Sequence, residues 1–365
     1  MRGWFPALLI FLTLWLLPVP AALPAPLADE LLAVRSKPYS GAVTRFMAEQ
    51  AAFLDAELTA YDVAVRRLAE LPELLFVGGI NEELPVYVPD PDALARAVFS
   101  HEVVNRDFGA GKDKTEVRVA IRLIGVDDGM REKVVEALRK KGLLELYSMA
   151  VIRQRQLLGL YGEASAGLLG RNVAARGKSW LAHGRLRLKV AKLARICDEM
   201  AALGIFLKQL DGFSDTFKQP EEAMRSLQNA TELAPGNALI LAGFGEACLF
   251  MDRAAPAREA VEKALVIAPD FARAHDLMGI LLLRSQLPSL AASSFSRAVE
   301  LSPANPDYLI HRGSAYLVQE EADKACEDFL RACVLGNCAE YEWAVGSGLC
   351  VPQPEAGKDA ERRAD

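Results

Sequence analysis

The sequence predicts a mainly α-helical protein. It ends in an α-solenoid of stacked helical hairpins with a capping helix, preceded by a small α+β unit that contains an antiparallel hairpin. Three observations predict this. Proline, glycine and alanine recur in columns 34 residues apart through the C-terminal part. Apolar residues from 42 to 72 recur at helical spacing, and residues 115–126 alternate at the period of a strand. The chain has 365 residues, 52% hydrophobic and 25% charged, which excludes a disordered polymer. Its net charge of −6 is the opposite of the strongly basic balance of nucleic-acid binders, so no nucleic acid is expected as a partner.

Residues 1–28 have their own composition. Arg2 precedes the apolar run "FPALLIFLTLWLL", followed by Pro18, Pro20 and small residues at Ala21, Ala22 and Ala28. That is the layout of a secretory signal peptide. The run is shorter than the roughly 20 residues that cross a bilayer. No cysteine follows it, so a lipoprotein signal is not expected. The mature chain is expected to be exported to the periplasm or cell envelope, with an uncleaved N-terminal anchor as the alternative.

Residues 29–126 form the expected α+β unit. Val43, Phe46, Met47, Phe53, Leu54, Leu58, Tyr61, Val65 and Leu68 mark one helix, which Pro72 ends. "LLFVGGINEELPVYVPDPD" reads as short strands and turns. In "TEVRVAIRLIGV", Val117, Val119, Ile121 and Leu123 fall on one face, with Glu116, Arg118 and Arg122 on the other. With "FSHEVVNRDF" and the turn "GAGKDK" before it, this predicts an antiparallel hairpin. A helical connector, 127–203, comprises a helix from 128 to about 161, a loop "GEASAGLLGRNVAARGKS", and a helix from about 180 to 210. The array with its cap occupies 204–350, and 351–365 is a disordered tail.

The columns carry the array. Pro235, Pro269 and Pro303 keep the step of 34, as do Gly245, Gly279 and Gly313. Ala223, Ala257, Ala291 and Ala325 form another column, and Ala230, Ala264, Ala298 and Ala332 a fourth. Phe295 and Phe329 share that register, with Leu227 and Val261 at the earlier places. Small residues let helices approach closely, and proline ends a second helix because it lacks the N–H of the next turn. At these residues the sequence resembles the tetratricopeptide repeat family, with full repeats at 238–271, 272–305 and 306–339 and a degenerate one at 204–237. Asp211 stands where glycine belongs, and Leu241, His275 and Leu309 replace the usual aromatic.

The resemblance implies non-catalytic protein binding in the groove lined by the first helix of each hairpin. The positions it implies are Leu239, Ala242, Glu246 and Leu249; Arg273, Asp276, Ile280 and Leu283; and Asp307, Ile310, Ser314 and Leu317, with His311 nearby. Chaperone-binding relatives grip a peptide carboxylate with cations there; Ala242, Glu246 and Asp307 do not supply them. The leucine-rich groove suits an extended or helical apolar segment, although part of it could instead pack on the N-terminal unit.

Six cysteines take their meaning from export. Cys333, Cys338 and Cys350 cluster at the end, where a Cys338–Cys350 disulfide is expected to tie the cap "AEYEWAVGSGLC" to the last turn. The motif "AC-x-LG-x-C" also resembles cysteine-rich Sel1-like repeats of exported bacterial proteins. Cys197, Cys248 and Cys326 read as small buried apolar groups.

Sites for chemistry are scarce. "GAGKDKT" lacks the spacing of a phosphate loop, since Asp113 follows Lys112 and Arg106 replaces the first glycine. "HEVVN" has Asn105 in place of the second histidine of a zinc helix. His101, His183, His275 and His311 share no ligand spacing. No catalytic residue, metal or cofactor is expected, and the 75–126 unit is the one place for an alternative ligand-binding or enzymatic function. From 171 to 195 the sequence holds Arg171, Arg176, Lys178, Arg185, Arg187, Lys189, Lys192 and Arg195 with no acid. This is either a solvated helix face or a surface for an anionic partner, an acidic protein or phospholipid headgroups.

Overall fold

The computed structural model describes residues 32–69, 90–111, 114–124, 130–139, 141–169, 180–211 and 220–352. The signal-peptide text, the strand-like text from 74 to 89, the cations Arg171, Arg176 and Lys178, and the tail from 353 lie outside them.

Three antiparallel strands, β1 (Leu32–Pro38), β2 (Ser100–Ala110) and β3 (Glu116–Ile124), form a sheet of order β1-β3-β2. The expected hairpin is β2–β3, running from Ser100↔Ile124 to Ala110↔Glu116. Gly109 and Gly111, with φ of +97° and +84°, turn its end. Val117, Val119, Ile121 and Leu123 are buried against α1 (Arg45–Ala69), as their alternation requires. β1 is a strand the sequence hid. Its helix-facing places hold Arg35 and Lys37, which satisfy themselves on Asp55 of α1 in place of apolar burial.

A short helix, α2 (Pro91–Val98), replaces part of the expected turn text. Asp90 accepts from the Asp92 N–H at 3.0 Å, and Pro91 supplies a preset first helical position. The connector helix is described in two stretches, α3 (Met130–Arg139) and α4 (Lys141–Ala166), on either side of residue 140. α4 continues through Gly162 into text expected to be a loop, because burial of Leu157 and Tyr161 outweighs the poor helix propensity of glycine. α5 (Trp180–Asp211) follows as expected.

One polar cluster joins these helices. Arg96 of α2 donates to Glu57 of α1 and to Gln154 of α4, each at 2.8 Å, and Gln154 donates to Glu57 at 3.2 Å. All three are buried, and the Arg96 guanidinium lies 4.4 Å from the Tyr61 ring centroid. Two of the three guanidinium nitrogens of Arg96 are thus partnered, which offsets much of the cost of taking the charge out of water.

The array follows the sequence frame. α6 (Pro220–Leu233) pairs with the last two turns of α5, which lie in the degenerate repeat. Three full hairpins follow: α7 (Ala238–Phe250) with α8 (Ala254–Ile267), α9 (Ala272–Arg284) with α10 (Pro288–Leu301), and α11 (Pro306–Val318) with α12 (Ala322–Val334). The glycine column has a steric cause. A Cβ on Gly279 would sit 2.5 Å from the Phe295 ring, one on Gly313 2.6 Å from Phe329, and one on Gly245 2.8 Å from Val261. The hairpin turns repeat as well: Asp252, Gln286 and Glu320, 34 apart, all take left-handed φ of 56°, 59° and 62°. One continuous apolar cluster runs from Ala33 to Leu281, so the core does not break at 126 or at 203.

The cap is α13 (Ala339–Gly346). The cysteine pairing differs from the expected Cys338–Cys350 bond. Cys350 is bonded to Cys326 of α12, and Cys338 to Cys333. Gly336, at φ +101°, reverses the chain so that Cys338 folds back onto the end of α12. Gly348, at φ +75°, swings Cys350 beneath Cys326, which is therefore not a lone buried thiol. Cys197 and Cys248 are free and buried; burial pushes their thiols up to about 12 and about 11, so both stay neutral and inert.

Candidate functional site

The first helices of the hairpins place their named residues in two adjoining groups. The first surrounds an apolar cavity of about 110 Å³ between the degenerate hairpin and the first full one. Leu239, Ala242, Gly243 and Glu246 of α7 form one wall, Phe206 and Gln209 of α5 another. Leu146 of α4 closes a third side, and the half-exposed Phe250 stands at the edge. Gly243 explains the shape: a Cβ there would lie 2.7 Å from the Phe206 ring, so only glycine lets that ring lie against α7.

The second group is a chain of charges. Arg273 pairs with Glu246 and, at 3.3 Å, with Asp276; Asp276 also meets the His311 Nδ1 at 2.7 Å. Asp276 is fully buried. Burial works against the charge of Arg273, but the Glu246 and Asp276 carboxylates outweigh it and raise its pKa further. His311 follows the same pattern: burial opposes protonation, and Asp276 prevails to raise its pKa above the usual histidine range. Glu145 of α4 approaches from above. It accepts from the Ser302 hydroxyl at 3.2 Å, and burial lifts its pKa, opposed by that hydroxyl and by Arg273. Gly142 lies so close to Asn305 that a Cβ would come within 3.2 Å of its side-chain nitrogen.

The structure thus brings together Leu239, Ala242, Glu246, Arg273, Asp276 and His311. It does not bring Leu249, Leu283, Ser314 or Leu317 to the cavity. Leu249 is buried behind α7, Ser314 bonds back to the Ile310 carbonyl at 2.9 Å, Leu317 packs toward the cap, and Ile280 and Leu283 pack against the Phe295 cluster. Asp307 lies beyond, holding the Asn337 amide at 3.4 Å. The N-terminal end of α4, with Glu145 and Leu146, covers part of this face; these residues belong to the connector and not to the 29–126 unit. Phe206, Gln209, Glu145 and Leu146 are absent from the positions the repeat pattern names. The first glycine of "GFG", Gly243, was the one signal pointing to Phe206.

Among the described residues no group of acids, histidines and cysteines is arranged to hold a metal ion, and no helix is long and apolar enough to cross a membrane.

Residues 217–281 match the family described as tetratricopeptide repeat, a stretch that takes in α6, α7, α8 and most of α9. No curated protein matches the sequence. Solved structures similar in part include YrrB, described as a TPR protein with an unusual peptide-binding site, at 16% identity and a TM-score of 0.34, over 45% of this chain and 83% of that one. MamA from Desulfovibrio magneticus RS-1 is 23% identical with a TM-score of 0.33, over 38% of this chain and 76% of that one. PilF of Pseudomonas aeruginosa is 18% identical with a TM-score of 0.31, over 51% of this chain and 89% of that one.

Proposed function

We propose that this tetratricopeptide repeat protein is a non-catalytic scaffold that binds one segment of a partner protein on the face lined by α5, α7 and α9. The observation that carries the reading is the apolar cavity bounded by Leu239, Ala242, Gly243 and Phe206, with the Glu246–Arg273 pair at its edge. A single bulky apolar side chain fits such a volume, and burying it supplies about 1.5–3 kcal/mol. The charges beside it then select the polar residues that flank that anchor. Leu249, Ile280, Leu283 and Ser314 serve the array's packing in this reading, and His311 and Asp276 hold Arg273 in place.

The working location is the cell envelope, outside the cytoplasm. The signal-like text at 1–28 and the two cystines support it. An uncleaved N-terminal segment would make the protein a membrane-tethered scaffold instead; mass spectrometry of the mature N-terminus separates the two forms.

Affinity capture from the native envelope with the full chain tests the binding reading. An A247F variant fills the cavity from α7, and an E246Q variant removes the negative charge at its edge while Arg273 keeps Asp276. Partners recovered with the parent and lost with both variants, at unchanged melting temperature, support the site. Capture that survives both variants overturns it.

A further inference from the structure

The first third of α5 behaves unlike the rest of that helix. From Leu193 onward α5 buries one face against α1, α4 and α6. Before and around that point, Arg185, Arg187, Leu188, Lys189, Lys192 and Arg195 are all exposed. Steps of 3, 4 and 3 residues set Arg185, Leu188, Lys192 and Arg195 in one stripe about 15 Å long. Arg187 and Lys189 flank it, while Leu186 and Val190 turn toward the core.

Two features mark this stripe as more than a solvated face. Elsewhere the partly buried arginines are matched: Arg153 with Glu199, Arg273 with Glu246, and Arg312 with Asp328. The five cations of the stripe and its flanks have no ion-pair partner among the described residues, and no acid occurs from Trp180 to Cys197. This concentration of positive charge sits in a chain of net charge −6. Second, the centre of the stripe is a bare leucine: Leu188 is 72% exposed.

We propose that this stripe docks on an anionic phospholipid surface. The cations meet headgroup phosphates, and Leu188 enters the boundary between headgroups and acyl chains while the long Arg and Lys stems spread around it. An acidic protein surface would satisfy the cations equally well. It would leave Leu188 against polar groups, whereas a headgroup layer takes charge and apolar tip together. The interaction lies apart from the cavity face and stands independently of the function proposed above.

Sedimentation of the full chain with vesicles tests this. Phosphatidylcholine vesicles carrying about a third phosphatidylglycerol should bind about tenfold more protein than phosphatidylcholine alone, and high salt should release it. R185E/R187E/K189E should abolish the preference. The milder R185Q/R187Q/K189Q should weaken it, and L188S should lower binding about threefold with the salt response kept. All these side chains are exposed, so the melting temperature should not change. Equal binding by the charge-reversed chain, or no preference for anionic vesicles, overturns the proposal. So does capture by polyglutamate that L188S does not weaken, in the absence of a vesicle preference; that result would assign the stripe to an acidic protein.

Discussion

The two halves of the molecule bring helices together by different means. In the array, contact depends on what is missing: Gly245, Gly279 and Gly313 leave room for Val261, Phe295 and Phe329, and the solution is copied every 34 residues. In the N-terminal half, contact depends on one unrepeated set of polar groups, Glu57, Arg96 and Gln154, buried where α1, α2 and α4 meet. The first device spreads stability over many equivalent joints. The second concentrates it at a point, where losing one member strands a charge.

That contrast can be broken from either side. The largest effect should come from E57A, which leaves Arg96 buried without its carboxylate and should cost about 3–5 kcal/mol in urea unfolding. A loss under about 1 kcal/mol would mean water reaches the cluster and the contrast is false. Next, G279A should cost about 1–3 kcal/mol, because Phe295 must leave its place. The control is G204A in α5, where a Cβ meets nothing within 4 Å; it should stabilise by about 0.5–1 kcal/mol. Q286G should gain a similar or smaller amount by relieving a left-handed residue at a hairpin turn, read as a rise in melting temperature.

The smallest effect lies within the array. His311 has a raised folded-state pKa, so its contribution is fully present below the unfolded value near 6.5 and is lost as pH rises through the folded one. The groups facing it are Asp276, Arg273 and Asp307. Melting temperature measured from acid to mildly alkaline pH should therefore fall across that window in the parent chain. H311Q should flatten the fall.

Legibility in the sequence divides along the same line. Three hairpins, their limits and their close contacts were readable because each column was seen several times, so chance agreement was excluded. The β2–β3 hairpin was readable because one face of β3, Val117, Val119, Ile121 and Leu123, is wholly buried. β1 was not, since the charged Arg35 and Lys37 occupy helix-facing places and pair with Asp55 of α1. The α4 end was hidden by Gly159 and Gly162, whose weak propensity was overruled by tertiary burial of their neighbours. At the candidate site, the α7 and α9 positions followed from the repeat frame. Leu146, Glu145 and Phe206 did not, because they come from outside the three regular repeats. The cystine pairing escaped for a related reason: two glycines in left-handed conformations decide which thiols meet, and spacing alone does not encode the reversals they cause.

Both ends of the solenoid are closed, though differently: one by a helix held with two cystines, the other by fusion into α5 and the body beneath it. Lineages that lengthen such proteins by tandem duplication would here find room only between full repeats. A copied unit inserted between 271 and 272, or between 305 and 306, would find matching neighbours on both sides, whereas one added beyond either closure would meet a surface never shaped to receive it.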